Sequence, residues 1–461
     1  MKIYNRPIVY SLYMVLLCAT ACNKFVSIQP SPQLITTASL FENDNTALSA
    51  VDGVYTSMRA GSPSFENGAI SIYAGLSADD IYNTTSSATY DPFSKNLLTS
   101  NNNTVNTLWL TPYNTIYRAN VIIEGLAKSK ALSDSVKRQL TGEMKVVRAI
   151  TYFYLTNLYG NVPLVTTSDY KQNATIPRTA AATVYQQIVT DLTDAEALLT
   201  DNYPSAGKAR PNRQTAAAIL ARVYLYQKDW VNAALQASQV INSNLYSLVP
   251  DLNSVFLVDG NETIWEIASP SEARNSAEGA SFIPSSTTVK PTFSITPVLL
   301  NAFEAGDLRK VNWIDSNIIG GITYYYPFKY KNRSNTAVTE YDVVVRLAEQ
   351  YLIRAEAEAN GGGNGIVGAI NDLNIVRSRA GLSNYAGLND QLSVLTAIFH
   401  ERQVEFFAEW GNRWFDLKRS GMIDTVLGAE KAGWQPYDAL YPIPYNQILY
   451  NPFLVQNIGY N

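Results

Sequence analysis

The 461 residues contain one histidine and two cysteines. So few soft ligands nearly exclude a zinc site of the Cys/His kind. A Ser-His-Asp triad would have to use His400, and nothing near it in sequence completes one. Charge is also sparse: Asp, Glu, Lys and Arg make up 16% of the chain, with a formal net charge of −4. That balance lacks the basic surface needed to neutralise phosphates and argues against nucleic acid as a partner. Past the N-terminus, no apolar run is long enough to span a bilayer. The glycine run Gly361–Gly365 is not followed by Gly-Lys-Ser/Thr, so it reads as a helix–helix turn, not a phosphate loop. The loop acids do not reproduce calcium-loop spacing. No cofactor and no metal is expected.

What is present is apolar and aromatic. Hydrophobic residues are 46% of the chain, with 30 Tyr, 15 Phe and 7 Trp. This is enough to build a large core without disulfides.

The first residues read as an address. Lys2 and Arg6 precede the apolar run Ile8–Leu17, which gives way to Cys18-Ala19-Thr20-Ala21-Cys22. The run is short and ends in small residues, the pattern of a signal peptide over 1–21. A cysteine directly after Ala19-Thr20-Ala21 looks like a bacterial lipoprotein site, with Cys22 acylated. Plain secretion, with Cys22 a free thiol, is the other reading. Residues 22–45 read as an extended tether.

The rest divides into an N-terminal region, 46–240, and a C-terminal region, 241–461. Helical periodicity starts near Asn45 and runs to Arg59. It returns in 136–158, 184–199, Arg213 to Ile241 with a break near Lys228-Asp229, 341–379, and 390–419. Leu220, Ala221, Tyr224, Trp230 and Ala233 follow tetratricopeptide-like spacing, as do small residues such as Ala355, Ala357, Ala359 and Ala369. Two polar, aromatic stretches interrupt the helices: 60–107, and 270–335 within a mixed stretch. Short β-like runs occur at 263–268 and 322–330. The fold class is mainly α, helix pairs as scaffold with long loops and a few short strands.

Two sets of side chains invite chemistry. Glu401, Glu405 and Glu409 share a helix face, and paired carboxylates could hydrolyse glycosides. The plainer reading is a charged face neutralised by Arg402, Arg413, Lys418 and Arg419. The second set is the loop aromatics. Flat, apolar rings match the C–H faces of sugars, and neighbouring polar groups can bond the hydroxyls. The candidate ligand-binding residues are Asp79, Tyr82, Tyr90 and Phe93 in the first insertion, and Phe282, Trp313 and Tyr324 in the second.

Several segments together resemble the SusD/RagB family of outer-membrane nutrient-binding lipoproteins. They are Gly142-Glu143 with Arg148-Ala149; Tyr159-Gly160-Asn161-Val162-Pro163-Leu164; Ala348-Glu349-Gln350-Tyr351-Leu352; Leu373 to Leu382; Glu401-Arg402-Gln403-Val404-Glu405-Phe406; Gly411 to Arg419; and Tyr441-Pro442-Ile443-Pro444. The resemblance implies a SusD-like fold with four tetratricopeptide-like helix pairs and a non-enzymatic role. It implies an outer-membrane lipoprotein, facing the cell exterior, that lids a SusC-like TonB-dependent transporter. There it would capture an oligosaccharide, or in some cases peptides, for uptake. A purely structural lid is the alternative. The motif residues are expected to build buried Arg/Glu networks rather than touch ligand.

Overall fold

The computed structural model describes residues 39–61, 63–269, 275–334 and 337–460. The expected signal peptide, Cys22 and most of the tether lie outside the described residues.

Ten helices carry the architecture: α1 Asp44–Met58, α2 Asn103–Lys128, α3 Asp134–Tyr159, α4 Ala181–Leu198, α5 Arg213–Gln227, α6 Trp230–Asn242, α7 Leu347–Ala359, α8 Gly365–Arg379, α9 Gln391–Phe406 and α10 Asn412–Ser420. Asn43, Asn102, Ser133, Asn212, Asp229 and Asp390 cap six of them through side-chain oxygens that accept from backbone N–H groups. From α2 to α8, each helix packs on the next, and α9 packs on both α7 and α8. α1 lies across α2 and α3. The stack runs straight from α6 to α7, although residues 243–346 intervene.

Small residues allow this passage. Ala221 of α5, Ala233, Ala234 and Ala237 of α6 and Ala357 of α7 share one buried cluster with Ile353. At the α3–α4 contact, Gly142 has no room for a side chain: a Cβ there would lie 2.7 Å from Leu199. Side-chain volume at these positions thus sets how closely the helices approach.

Three two-stranded antiparallel sheets lie outside the stack. β1 (Ile81–Asn83) pairs with β3 (Phe293–Ile295), β2 (Thr263–Ile267) with β6 (Asp342–Arg346), and β4 (Ile314–Ile319) with β5 (Ile322–Pro327). Gly320 and Gly321, both at positive φ, turn the β4–β5 hairpin.

Three expectations change. The 60–107 stretch is not one long loop. It holds the helix Ala69–Ser77, buried at every residue, then β1, a short helix Asp91–Ser94 and the start of α2. A helix apolar all round shows no periodic polar face, which hid it in the sequence. The 390–419 stretch breaks at Phe407–Gly411, where Ala408, Trp410 and Gly411 have positive φ. The Trp410 N–H donates to Ser71 Oγ at 2.8 Å and its indole Nε1 to the Val343 carbonyl at 2.9 Å. A Cβ on Gly411 would lie 2.5 Å from that of Ala74, so the glycine permits this turn to meet the buried helix. Finally, 342–346 is strand β6, not the first turn of a helix.

Candidate functional site

Glu401, Glu405 and Glu409 form neither a surface face nor a catalytic pair. All three are buried, and their main partners come from other segments. Arg309 Nη1 donates to Glu401 at 2.6 Å and to Glu405 at 2.8 Å. Arg346 donates to Glu405 at 2.6 Å, Glu262 at 2.8 Å and Glu409 at 2.9 Å. Arg379 reaches Glu262 and Glu405, and Lys329 reaches Glu409. Burial alone would raise the Glu405 carboxyl; the guanidinium groups of Arg379, Arg346 and Arg309 outweigh it and hold it well below the usual range. The expected neutralising residues are engaged elsewhere. Arg402 and Arg419 pair with Asp416, Arg413 pairs with Asp79, and Lys418 donates to the Asn157 carbonyl. The sequence motifs are therefore scaffold, as are Glu143–Arg210, Arg148–Asp191 and Arg222–Glu349. His400 bonds the backbone: its Nε2 lies 2.7 Å from the Ala302 carbonyl oxygen.

The loop candidates separate by burial. Trp313 is wholly buried and its Nε1 donates to the Leu252 carbonyl at 2.9 Å. Its ring is covered by Lys329, 4.6 Å from the centroid. Phe93 is buried against Tyr73, ring centroids 4.6 Å apart, and Phe282 is buried against Phe293 at 5.9 Å. Asp79 is buried and accepts from Arg413 at 2.6 and 2.7 Å. The three rings offer no surface to a ligand in this conformation, and Asp79, engaged by Arg413, lies in the wall of a depression beside Tyr82. They were chosen for lying in insertions, and the insertions have cores of their own.

Tyr82, Tyr90 and Tyr324 are different: each is half-buried. β3 links the strands that carry Tyr82 and Tyr324. Tyr82 sits opposite Ser294 in the β1–β3 register, and Ser294 Oγ donates to the Tyr325 carbonyl at 2.6 Å, tying β3 to β5. Tyr90 packs edge-on against Phe293, the neighbour of Ser294, at 4.8 Å. The Lys290 ammonium lies 5.1 Å from the Tyr324 ring centroid. Asn83 Nδ2 donates to Asp91 Oδ1 at 2.6 Å and draws that half-buried carboxyl below its usual range. The loop between β1 and Asp91 is pinned to the second insertion by the Thr84 N–H, which donates to the Thr292 carbonyl at 2.9 Å.

Beside Tyr82 lies a depression of about 530 Å³, walled by Ile81, Ser94, Pro297, Val298, Glu430 and Lys431. Burial pushes the Lys431 ammonium down to about 7, and it donates to the Leu76 and Ser77 carbonyls at 2.7 Å each. Among the described residues the assembly offers tyrosine faces, amides and the Lys290 ammonium. No group of three or more His, Cys, Asp or Glu side chains among the described residues could hold a metal ion.

Sequence reasoning missed the second strand of the hairpin, β4, whose Asn317 faces Tyr324. Asn317 Nδ2 donates to the Ser286 and Val289 carbonyls at 2.9 and 2.7 Å, holding the loop that carries Lys290. The signal was there: Gly320-Gly321 between two β-branched runs marks a two-residue hairpin turn.

Comparison with known proteins agrees with the architecture. A family model described as "Starch-binding associating with outer membrane" matches residues 46–225, and the SusD family model matches 301–460. SusD-like protein P25 of Formosa agariphila is 24% identical over 100% of this chain and 99% of its own. The starch-binding protein SusD of Bacteroides thetaiotaomicron is 24% identical over 73% of this chain and 75% of its own. Among solved structures, a SusD superfamily protein from Bacteroides vulgatus superposes with a TM-score of 0.79, at 25% identity over 91% of this chain and 100% of that one. A laminarin-binding SusD-like protein does so with a TM-score of 0.76 at 25% identity, with the same coverage. With matches in both halves and a shared fold along nearly its whole length, the chain belongs to the SusD/RagB family.

Proposed function

We propose that the protein is a non-enzymatic glycan-binding lipoprotein of the outer membrane. It captures an oligosaccharide at the cell exterior and passes it to a SusC-like TonB-dependent transporter. The observation that carries this reading is the set of half-buried rings Tyr82, Tyr90 and Tyr324 around β3, with an open depression beside Tyr82 and the Lys290 ammonium over Tyr324. Ring faces stack on sugars, and Lys290, Asn83 and Asp91 supply hydrogen bonds at the rim. The relatives that bind starch and laminarin support the same ligand class. Membrane attachment rests on the Cys22 sequence pattern, and the transporter partnership on family membership.

The test is affinity electrophoresis of a soluble chain starting at Asn23 through gels containing different polysaccharides, laminarin and starch among them. The expected result is retardation by one glycan class. Tyr82→Ala and Tyr324→Ala each weaken it about five-fold, corresponding to about 1 kcal/mol per stacked ring. Folded protein that no glycan retards would overturn the reading and move the ligand class to peptides.

A further inference from the structure

A second aromatic depression shares no lining residue with the one beside Tyr82. It holds about 380 Å³ and is built from three stretches far apart in sequence. Trp109, Tyr113 and Tyr117 come from α2, Tyr170 from the one-turn helix Tyr170–Asn173, and Tyr450 from the helix Tyr445–Tyr450. On α2 the three rings recur every four residues, so they lie about 6 Å apart along one face. That spacing is close to the length of one sugar unit in a chain. Trp109 is buried and Tyr113 half-buried, their ring centroids 5.3 Å apart. Tyr117, Tyr170 and Tyr450 are exposed, by 47%, 72% and 80%. The hydroxyls of these three bond no protein group among the described residues. Single exposed rings are ordinary, but three from separate segments around one hollow mark a site.

The walls are tied to one another before any ligand arrives. The Tyr113 hydroxyl donates to the Pro163 carbonyl at 2.9 Å, Asn451 Nδ2 to the Ile176 carbonyl at 2.8 Å, and Gln447 Nε2 to Asn106 Oδ1 at 3.3 Å. Among the described residues no charged side chain lines the hollow; its polar groups are the tyrosine hydroxyls and three amides, Asn173, Gln447 and Asn451. The cluster around β3 differs, with Lys290 and Asp91 beside its rings. A preformed pocket of this size, mostly aromatic with a few amides, suits a small ligand or a short stretch of a longer one. The missing charge narrows the class. An ionised ligand would give up water with nothing to pair it. A hydrocarbon chain would leave hydroxyls and amides without partners. Neutral sugars meet both demands, with C–H faces for the rings and hydroxyls for the amides.

We propose that this hollow is a second glycan site, one for uncharged sugars. The inference rests on the glycan-binding reading above and adds a site to it. Two footholds on one polysaccharide raise its retention without any new contact at either. The test is electrophoresis of the soluble chain from Asn23 through native gels containing starch or laminarin. Four forms are compared: unaltered, Tyr82→Ala/Tyr324→Ala, Tyr170→Ala/Tyr450→Ala, and all four substitutions together. Tyr170 and Tyr450 are exposed, so thermal melts of their variant should match the unaltered chain; Tyr117→Ala probes the same hollow should that variant fail to fold. In the gel that retards the unaltered chain, Tyr170→Ala/Tyr450→Ala should need about ten-fold more polysaccharide for equal retardation. Tyr82→Ala/Tyr324→Ala should keep part of its retardation, and the form with all four substitutions should lose it. Retardation that both Tyr170→Ala/Tyr450→Ala and Tyr117→Ala leave unchanged overturns the second site while the first stands, and leaves the hollow for a protein partner. Should neither neutral polysaccharide retard the unaltered chain, this site is overturned, while the glycan reading still stands if a carboxylated polysaccharide such as alginate does.

Discussion

Glu405 is fully buried and accepts from three arginines at once. Removing a carboxylate from such a cluster leaves buried cations unpaired, at a cost of about 3–5 kcal/mol. Glu405→Ala should therefore yield insoluble or unfolded protein, judged by circular dichroism, whereas loss of a glycosidase carboxylate would leave the fold intact. Trp313→Ala should cost about 3–5 kcal/mol for the same reason of position, through the cavity it leaves; a chemical-denaturation midpoint measures it. Other buried acids have fewer partners. Burial pushes Asp80, Glu66 and Glu278 up to about 7, and among the described residues Asp80 Oδ1 and Glu278 Oε2 accept no hydrogen bond. A carboxyl whose pKa is raised on folding binds more protons folded than unfolded, so stability falls as pH rises from about 4.5 to 7. The buried lysines Lys418 and Lys431, both pushed down to about 7, are half-charged at pH 7 and fully charged by pH 5, so they oppose the trend only at the top of that window. The melting temperature should rise on acidification from pH 7 to pH 5, and Asp80→Asn/Glu278→Gln should flatten that slope. An unchanged slope would mean these acids keep their ordinary affinity for protons.

At the scale of elements, helix periodicity was readable wherever a helix has one wet face. The expected 136–158 and 184–199 became Asp134–Tyr159 and Ala181–Leu198. Elements wet on no face, such as Ala69–Ser77, carry no such rhythm and were lost among loop residues. Burial likewise divided the ligand candidates, covering Trp313, Phe93 and Phe282 and leaving Tyr82, Tyr90 and Tyr324 half-buried. Composition picks out aromatics in insertions, but only the strand register distinguishes Tyr82 from Trp313. Close approach was legible as small residues without their partners. Gly142 lies against Leu198 and Leu199 of the α4 end, and Gly142→Ala should cost about 1–3 kcal/mol by overpacking, read as a lowered melting temperature.

Across the whole molecule, the two sequence regions are interlocked. Arg222 of α5 pairs with Glu349 of α7, Asp79 with Arg413, and Ser77 bonds Tyr441 at 2.9 Å. A fragment ending at Asn242 would expose the α6 face that α7 covers and leave these charges unpaired. Calorimetry of the intact chain should give one cooperative transition, and residues 39–242 expressed alone should aggregate. The final residues close the same circuit. Asn457 Nδ2 donates to the carbonyls of Tyr159 and Tyr441, Arg178 Nη1 donates to the Val455 carbonyl, and Asn451 Nδ2 donates to that of Ile176. These clasps join residues 451–457 to residues 159–178, nearly three hundred positions earlier, so the N-terminal region keeps open partners until the C-terminal segment arrives to satisfy them.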